Sequence, residues 1–358
     1  MNSLLQVFFN LIPFRESLLK CECKEEPKNS LFQIKKLFFS LKYLQINSYN
    51  PESFPSNFDD EVLNVHQQMD VDEFYINILD KIENRLKGTK NENLVKYFFQ
   101  GRQNDILTFQ EGCTHHRTNT NNFYSIQLQV QNKKNIYESL DSLTEGELMD
   151  GENCIFCAKC NKKLPVIKSQ NFKSLPRILL FVLKRFAFNY DTMEKVKIND
   201  YYEFPFELDM TKYKTDFDKN DSKNNSNIYV LKSVVVHLGN SENGHYYSFI
   251  KNNNERWYEF NDSEVRPFNI ELLNNETFGG EEIVEINGEL KRRKKNKSAY
   301  LLFYEKKDQS DCEQFDNIEA INSFLGNTNI REDNERNNEI VENGGTCVIR
   351  EEEKKEDK

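Results

Sequence analysis

The hydrophobic pattern changes its period near residue 100, and this change limits the possible folds more than any other feature of the sequence. Over the first ninety or so positions, apolar residues recur at helical spacing. The clearest helix is predicted from Asp70 to Leu86, where Asp70 and Glu73 form a capping box. The stretches SLLQVFFNLI, which stops at Pro13, and SLFQIKKLFFSLKYL, which begins at Ser30, predict two further helices. The apolar stripe of the clearest helix comprises Val71, Phe74, Tyr75, Ile78, Leu79, Ile82 and Leu86.

Beyond residue 100 the apolar residues alternate with polar ones or form short β-branched runs, which predict strands of an antiparallel sheet. Helices followed by strands indicate an α+β fold. The charged, Asn-rich stretches at 218–227 and 285–298 are predicted to be loops or disorder, and the residues past 305 are too polar to pack. The predicted strands are FYSIQLQV, RILLFVLKRF, YVLKSVVVHL, HYYSFIKN, RWYEFN and AYLLFYE.

Composition and charge exclude several classes of protein. The formal net charge is -10, which argues against a nucleic-acid partner because phosphate neutralisation needs clustered Lys and Arg. Three of the eight cysteines are packed as CIFCAKC at 154–160, a spacing unlike a disulfide framework, so we expect thiols in a reducing compartment. No apolar run reaches transmembrane length. We therefore expect an intracellular protein, cytoplasmic or also nuclear, that binds no membrane.

His245 and Asn261 are the first candidate catalytic residues. A hairpin centred on Asn253 pairs positions whose numbers sum to about 506, which predicts that His245 lies directly opposite Asn261, with Cβ atoms roughly 5 Å apart. An amide oxygen at that distance can fix the imidazole tautomer and leave the other ring nitrogen free to accept a proton from a Cys or Ser. The alternative is a histidine at the start of a strand and an asparagine in a turn, with no catalytic role.

Several ordered motifs resemble the catalytic domain of the ubiquitin-specific proteases, and the similarity is strongest to the fat-facets branch. The resemblance covers nearly all of residues 1–305. The motifs, in family order, are NSLLQ in the first helix, QMDVDEF (68–74), LKRF (183–186), NDYYEFPFELDM (199–210), VVVHLGNSENGHYYSFI (234–250), RWYEFNDSEV (256–265) and AYLLFYE (299–305).

The resemblance implies a papain-like cysteine protease fold with an antiparallel sheet in the palm. The expected catalytic domain covers 1–305. It divides into a helical thumb over 1–98, fingers over 99–174 and a palm over 175–305, and a polar tail follows at 306–358. The expected reaction is hydrolysis of the isopeptide or peptide bond at the C-terminus of ubiquitin, without a catalytic cofactor. The implied partners are ubiquitin and ubiquitinated proteins, and we expect a monomer.

The resemblance also assigns roles to single residues. His245 becomes the general base and Asn261 its orienting partner, with Asp262 as a neighbour that can share this role. An Asn orients an imidazole but stabilises an imidazolium less than a carboxylate does. The substrate-binding positions are Asp70, His237 and Tyr246, which line the channel for the ubiquitin tail, and Gln68, which supports its wall. Asp70 also has the helix-capping role described above.

The nucleophile of the family lies outside the printed sequence. The family motif reads Asn-x-Gly-x-Thr-Cys-Tyr-Met-Asn-Ser, and the chain begins at that Met, so the cysteine is expected two residues before Met1. We favour a chain truncated at an internal Met, because Asn2 and Ser3 continue the motif. The alternatives are a non-catalytic ubiquitin-binding module and a zinc-bearing scaffold. We expect Cys21 and Cys23 to be ordinary surface thiols that cannot replace the nucleophile.

A structural zinc site is the last expectation from the resemblance. The family often holds zinc with two Cys-x-x-Cys pairs, and Cys157 and Cys160 supply one pair. At the other pair Gln110 stands in place of the first cysteine, which leaves Cys113, and His115 or His116 is the candidate for the fourth ligand. Cys₃His is an acceptable ligand set for zinc. The alternative is a degenerate site without metal.

Overall fold

The computed structural model describes residues 1–24, 26, 28–44, 70–215, 227–286 and 288–307, together with the backbone of 48–49 and 348–349. Gln68, most of the Asn-rich stretch at 218–227 and nearly all of the predicted tail therefore lie outside the described residues.

Seven α-helices are described, and the first five precede residue 100, where helical periodicity was predicted to dominate. Three of these five were predicted, and the helices that begin at Ile12 and Leu94 were not. None of the helices in the described ranges is long and apolar enough to cross a membrane. Three short 3₁₀ turns occur at Gly151–Asn153, Thr211–Tyr213 and Ile270–Leu272. The helices are α1 (Asn2–Asn10), α2 (Ile12–Lys20), α3 (Ser30–Tyr43), α4 (Val71–Leu86), α5 (Leu94–Phe99), α6 (Ile136–Glu145) and α7 (Leu273–Thr277).

Twenty strands are described, and all six predicted runs contain one. The strands are β1 (Ser48–Tyr49), β2 (Gly101–Phe109), β3 (His116–Phe123), β4 (Ile126–Gln129), β5 (Glu147–Met149), β6 (Ile155–Cys157), β7 (Lys162–Leu164), β8 (Val166–Ser174), β9 (Ile178–Lys184), β10 (Phe186–Asn189), β11 (Glu194–Lys197), β12 (Glu207–Asp209), β13 (Ile228–Gly239), β14 (Gly244–Lys251), β15 (Trp257–Asn261), β16 (Glu264–Pro267), β17 (Glu281–Ile286), β18 (Glu289–Lys294), β19 (Lys297–Lys306) and β20 (Val348–Ile349). These helices and strands confirm the α+β class.

The helix ends follow the local sequence signals with one exception. Asp70 caps α4 and its carboxylate accepts a hydrogen bond from the N–H of Asp72 at 3.0 Å, so the predicted helix and its N-cap are confirmed. The part of Glu73 in a capping box stays a prediction. The first helix ends at Asn10. The chain becomes helical again at Ile12 with Pro13 in the first turn of α2, a position that tolerates proline because its N–H needs no helical partner.

The chain forms two compact units that do not follow sequence order. Unit 1 includes Met1–Val95 and Tyr247–Phe268. Its helices pack in succession, α1 on α2, α2 on α3 and α3 on α4, and α1 also contacts β15. The ring of Phe8 lies 5.6 Å from that of Phe14 and 5.9 Å from that of Tyr75. In this unit β15 pairs antiparallel with β16 and β1 pairs in parallel with β20.

Unit 2 includes Lys96–Tyr246 and Asn269–Asp308. Its main sheet joins β12 to β13, β13 to β19 and β19 to β9, all antiparallel, and β4 then adds to β9 in parallel. That last pair is an exception to the predicted antiparallel pairing. A second sheet has the order β3-β2-β8-β5, and three hairpins are formed by β6–β7, β10–β11 and β17–β18. The division into thumb, fingers and palm stays a prediction.

The stretch 285–298, predicted to be loop or disorder, forms strands instead. β17 and β18 are the arms of an antiparallel hairpin in which Glu281 pairs with Lys294 and Glu282 pairs with Arg293. The Arg293 guanidinium contacts the Glu282 carboxylate at 2.8 Å. Opposite charges placed directly across two strands favour their pairing. The prediction considered only the high charge density along the sequence and therefore missed this cross-strand pairing.

The predicted register of the β14–β15 hairpin is also wrong. Ser248 pairs with Phe260, and Lys251 pairs with Trp257, so paired positions sum to 508 rather than 506. The turn contains Asn252, whose Oδ1 accepts hydrogen bonds from the N–H groups of Asn254 and Arg256. These bonds stabilise a turn over residues 252–256, which centres the hairpin on Asn254 instead of Asn253. Continued by one residue, this register places Tyr247, not His245, opposite Asn261.

Candidate functional site

In unit 2 the candidate base stands just after a tight loop. His245 is the second residue of β14, and residues 239–243, which we call the 239–243 loop, connect this strand to β13. The Oδ1 of Asn240 accepts hydrogen bonds from the N–H groups of Glu242 and Asn243 at 2.9 and 2.8 Å, and the Asn240 N–H donates to the Asn243 carbonyl at 3.0 Å. Gly239 has a φ of +117°, a conformation open to glycine. The loop is therefore a compact turn with a defined shape.

His237 lies beside this loop in an aromatic setting. Its side chain is 5% exposed, and its ring meets those of Phe186 and Tyr246 edge to face, with centroids 5.1 and 4.9 Å apart. Burial, with further contributions from the charges of Lys197 and His245, lowers the pKa of His237 to about 4. The imidazole is therefore neutral at physiological pH.

Lys197, at the end of β11, joins three segments of unit 2. Its Nζ donates hydrogen bonds to the carbonyl oxygens of His237 at 2.8 Å, Gly239 at 3.2 Å and Asn296 at 2.8 Å. Burial, followed by repulsion from Arg185, lowers the pKa of Lys197 to about 7. Lys197 was not among the predicted site residues, because strand alternation places it on the same face as the exposed Lys195 and gives no sign of its burial.

Unit 1 carries the other predicted members of the site. Asn261 ends β15, pairs with Glu264 of β16, and its Nδ2 donates to the Glu259 carboxylate at 3.4 Å. Asp262 follows in the turn with a φ of +50°, a left-handed conformation that Asp tolerates better than most residues. Asp70 caps α4 in the same unit, as described above.

The two halves of the predicted catalytic pair belong to different units. His245 lies in unit 2 and Asn261 in unit 1, and the corrected register removes the argument that placed them directly opposite each other. Their pairing therefore stays a prediction carried by the resemblance. Within unit 2 the structure brings together three of the predicted residues, His237, His245 and Tyr246, through a ring contact between His237 and Tyr246 and the effect of the His245 charge on His237.

The four predicted metal ligands come together at the ends of strands in unit 2. The ligating atoms of Cys113, His115, Cys157 and Cys160 all lie within 4.8 Å of one another. The Nδ1 of His115 is 3.4, 3.6 and 3.5 Å from the sulfurs of Cys113, Cys157 and Cys160 respectively. The Cys113 sulfur lies 3.8 Å from that of Cys157 and 3.5 Å from that of Cys160. Of the two histidine candidates, His115 is the one in the cluster.

These distances fit a tetrahedral zinc site. With Zn–S bonds of about 2.3 Å and a Zn–N bond of about 2.0 Å, tetrahedral angles put two sulfurs about 3.8 Å apart and sulfur and nitrogen about 3.5 Å apart. Burial works to raise the pKa of Cys157, but hydrogen bonds from the backbone N–H groups of Cys160 and Lys159 and from His115 lower it to about 6. Hydrogen bonding to Cys113, followed by burial, raises the pKa of the neighbouring Cys160 thiol to about 11. One thiol of this pair is therefore ready to bind a metal at neutral pH, and the other must lose its proton on binding.

Cys21 differs from its predicted state as a surface thiol. Its side chain is fully buried, its sulfur donates to the Ser17 carbonyl at 3.3 Å, and Lys35 donates to its backbone carbonyl. Burial raises the pKa of the Cys21 thiol to about 12. The surface prediction failed because α2, which was not predicted, carries Cys21 into the helical core. Such a thiol is neither accessible nor ionised, so it cannot replace the family nucleophile.

Comparisons with known proteins point to one family. A family model described as ubiquitin carboxyl-terminal hydrolase matches residues 1–304. Among curated proteins, ubiquitin carboxyl-terminal hydrolase 34 of Mus musculus is 34% identical over 341 residues, which cover 86% of this chain and 9% of that protein. Ubiquitin carboxyl-terminal hydrolase puf of Drosophila melanogaster is 32% identical over 78% of this chain and 8% of its own length. Ubiquitin carboxyl-terminal hydrolase 9Y of Homo sapiens is 30% identical over 83% of this chain and 13% of its own. The chain thus spans a small part of the length of these relatives.

Proposed function

The chain belongs to the ubiquitin carboxyl-terminal hydrolase family, and from this premise we propose that it supplies the ubiquitin-binding and base-bearing parts of a thiol-dependent deubiquitinase. The observation that carries the proposal is the arrangement around β14. A buried neutral His237, a glycine with no room for a side chain at 244 and the ring of Tyr246 surround the position of His245. This arrangement suits a base that meets a narrow, extended peptide.

The proposed reaction has two steps. A cysteine thiolate attacks the carbonyl carbon of the last glycine of ubiquitin, the C–S bond forms, and the C–N bond to the target breaks as protonated His245 gives its proton to the leaving amine. His245 then takes a proton from water, which attacks the thioester and releases the ubiquitin carboxylate and the thiol. The printed 358 residues do not contain the motif cysteine, so the proposal assigns the remaining groups.

The other site residues receive roles from the family resemblance. Asn261, with Asp262 beside it, orients the His245 imidazole through an acceptor oxygen. Asp70, His237 and Tyr246 line the path of the ubiquitin tail, and Gln68 supports its wall. The partners are accordingly ubiquitin and ubiquitinated proteins.

We also propose that Cys113, His115, Cys157 and Cys160 hold a structural zinc ion. The sulfur and nitrogen separations match the tetrahedral values, and four protein ligands leave no position for a reacting water. The ion would tie the β2–β3 connection, which carries Cys113 and His115, to the β6–β7 hairpin, which carries the other two ligands. Catalysis needs no cofactor in this proposal.

A second candidate is a ubiquitin-binding module without catalysis. The observation that favours it is the state of Cys21, because the buried thiol at that position cannot act as a nucleophile. Both candidates require binding of ubiquitin, and they differ only in whether a thiol reacts.

A ubiquitin probe with a C-terminal electrophile tests the two candidates. The chain is produced as printed and with Thr-Cys-Tyr placed before Met1, and a third form carries Ala in place of that cysteine. A covalent adduct with the cysteine form alone supports the deubiquitinase. Ubiquitin binding by all three forms without an adduct supports the binding module, and no ubiquitin binding by any form contradicts both. The coding DNA upstream of Met1 shows whether the natural chain continues with Thr-Cys-Tyr.

A further inference from the structure

We propose that Lys197 is a positioning residue, which holds the 239–243 loop in the shape that places His245 and never contacts the substrate. The inference rests on the proposed function, because it takes His245 as the base. The residues that carry it are Lys197, its three carbonyl acceptors and the glycine before His245, all of which lie in unit 2.

One ammonium group satisfies three carbonyls that come from three places in the chain. His237 lies near the end of β13, Gly239 ends that strand and opens the loop, and Asn296 lies between β18 and β19. Below its pKa of about 7, Lys197 is an ammonium with three N–H donors and no acceptor, so the acceptors at 2.8, 3.2 and 2.8 Å use the full set. Hydrogen bonds from a charged donor are about twice as strong as neutral ones. Lys197 is therefore the common anchor of these three segments.

The 239–243 loop also makes hydrogen bonds to β11 and to Asn296 that do not involve the Lys197 side chain. The Ser241 Oγ donates to the backbone carbonyl of Lys195 at 2.6 Å, and the Gly239 N–H donates to the Asn296 carbonyl at 3.0 Å. The hydrogen bonds centred on Asn240 are internal to the loop, so they fix its shape but not its place. The position of the loop on unit 2 is therefore set by its hydrogen bonds to β11 and to Asn296. Lys197 donates both to the loop and to Asn296.

The path from Lys197 to the base is short. The carbonyl of His237, near the end of β13, accepts a hydrogen bond from Lys197. The ring of His237 occupies the space that a side chain on Gly244 would need. Gly244 directly precedes His245. If the backbone at His237 and Gly239 loses its anchor, the ring and the loop move together against the start of β14, and the imidazole of His245 moves with them.

The test compares Lys197→Met, which keeps the apolar stem and removes the donors, with Lys197→Arg, which keeps the charge. Lys195→Met is the matched control, because Lys195 lies on the same strand, is exposed, and contributes only its backbone carbonyl to the loop. Ser241→Ala is a milder variant that removes the hydrogen bond to the Lys195 carbonyl and leaves Lys197 in place.

Amide hydrogen exchange on the chain as printed, measured at pH 6 so that Lys197 is protonated, reports on the loop independently of catalysis. Loss of the charged anchor in Lys197→Met should speed exchange at the N–H groups of Gly239, Asn240 and Asn243 by about tenfold or more. Exchange in the core of β9 and β19 should stay unchanged. Lys197→Arg should restore most of the protection, Ser241→Ala should speed exchange by a smaller factor, and Lys195→Met should match the unsubstituted chain.

Steady-state kinetics of the form that carries Thr-Cys-Tyr before Met1 measure the effect of the Lys197 substitutions on His245. A displaced base slows the chemical step, so kcat for a ubiquitin C-terminal ester should fall about tenfold or more in Lys197→Met while KM changes less. Unchanged loop exchange in Lys197→Met, or an equal loss in Lys195→Met, overturns the proposal for Lys197. Faster loop exchange with unchanged kcat also overturns it. No hydrolysis and no ubiquitin binding by the unsubstituted form would instead contradict the proposed function and leave the exchange result to decide the role of Lys197 in holding the loop.

Discussion

The His237 imidazole occupies the space that a side chain on Gly244 would need. A Cβ built on Gly244 would lie 2.0 Å from the Nε2 of His237, 2.5 Å from its Cε1 and 2.8 Å from the carbonyl oxygen of Leu238. The ring is itself held edge to face by Phe186 and Tyr246, so it has little room to withdraw. The residue before the candidate base therefore has to be glycine for a steric reason.

Gly244→Ala should accordingly destabilise unit 2 and impair the site. Overpacking of this kind costs about 1–3 kcal/mol in the free energy of unfolding, which urea denaturation measures. The same change in a His237→Ala background should cost less, because the two nearest colliding atoms are gone. An equal cost in both backgrounds would show that the Leu238 carbonyl, and not the His237 ring, forbids a side chain at 244.

The neutral state of His237 predicts a dependence of stability on pH. Its pKa is about 4 in the folded chain, whereas the ordinary value for an exposed imidazole is 6.5. Between these values the unfolded chain binds a proton that the folded chain does not, so the free energy of unfolding falls as the pH falls from 6.5 toward 4. At pH 5 this group alone should remove about 2 kcal/mol relative to pH 7.

His237→Phe isolates that contribution, because phenylalanine fits the same aromatic setting and cannot titrate. Urea denaturation at pH 7 and pH 5 should show a smaller loss of stability in the variant than in the unsubstituted chain, by the amount given above. Identical losses would mean that His237 is protonated in the folded chain at pH 5, contrary to its burial.

The parts of the fold that could be predicted from sequence are those set by local pattern. Helix α4 and its cap at Asp70 depend on residues within one turn of each other, and the buried strands β9, β13 and β19 consist of nearly continuous apolar runs. The β17–β18 hairpin was missed because its support is the charge pairing of Glu282 with Arg293 across the strands. A pattern read along one strand contains no such information.

The candidate site was predicted by motif more than by geometry. The resemblance selected His245, and it grouped Cys113, His115, Cys157 and Cys160 although they lie up to 47 positions apart. The predicted register was wrong by two in the sum of paired positions because the hairpin is centred on Asn254 and not on Asn253. Lys197 was missed because its partners are three backbone carbonyls, and backbone acceptors leave no mark on the sequence.

The two roles of Asp70 can be separated by substitution. Asp70→Asn keeps a side-chain oxygen that caps α4 nearly as well as Asp, whereas Asp70→Ala removes it and should cost about 1 kcal/mol of stability. If Asp70 also binds the ubiquitin tail through its charge, both variants should weaken ubiquitin binding, measured by calorimetry on the chain as printed. Full affinity in a stable Asp70→Asn variant would limit the residue to its capping role.

Asn261→Asp tests the proposed partner of the base in the form that carries the motif cysteine. A carboxylate stabilises an imidazolium better than an amide does, so the variant should keep or raise kcat for a ubiquitin C-terminal ester. Asn261→Ala should lower kcat about tenfold or more, because the imidazole loses its orienting group. Asp262→Ala in parallel shows whether the neighbouring carboxylate shares this role. Unchanged kcat in Asn261→Ala would remove Asn261 from the proposed machinery.

Zinc should be found bound by the purified chain, and its loss should loosen the β6–β7 hairpin. His115→Ala and Cys160→Ser each remove one of four ligands and should lower the zinc content measured by plasma emission spectrometry. Cys154→Ser is the matched control, since Cys154 lies in the same CIFCAKC stretch and outside the cluster, and it should keep the metal. Removal of the ion by a chelator at neutral pH should lower the midpoint of thermal unfolding, because metal binding stabilises only the folded arrangement of the ligands. A chain that holds no zinc after expression with added zinc, or that keeps it in His115→Ala and Cys160→Ser alike, would show that the four side chains meet as an ordinary thiol cluster.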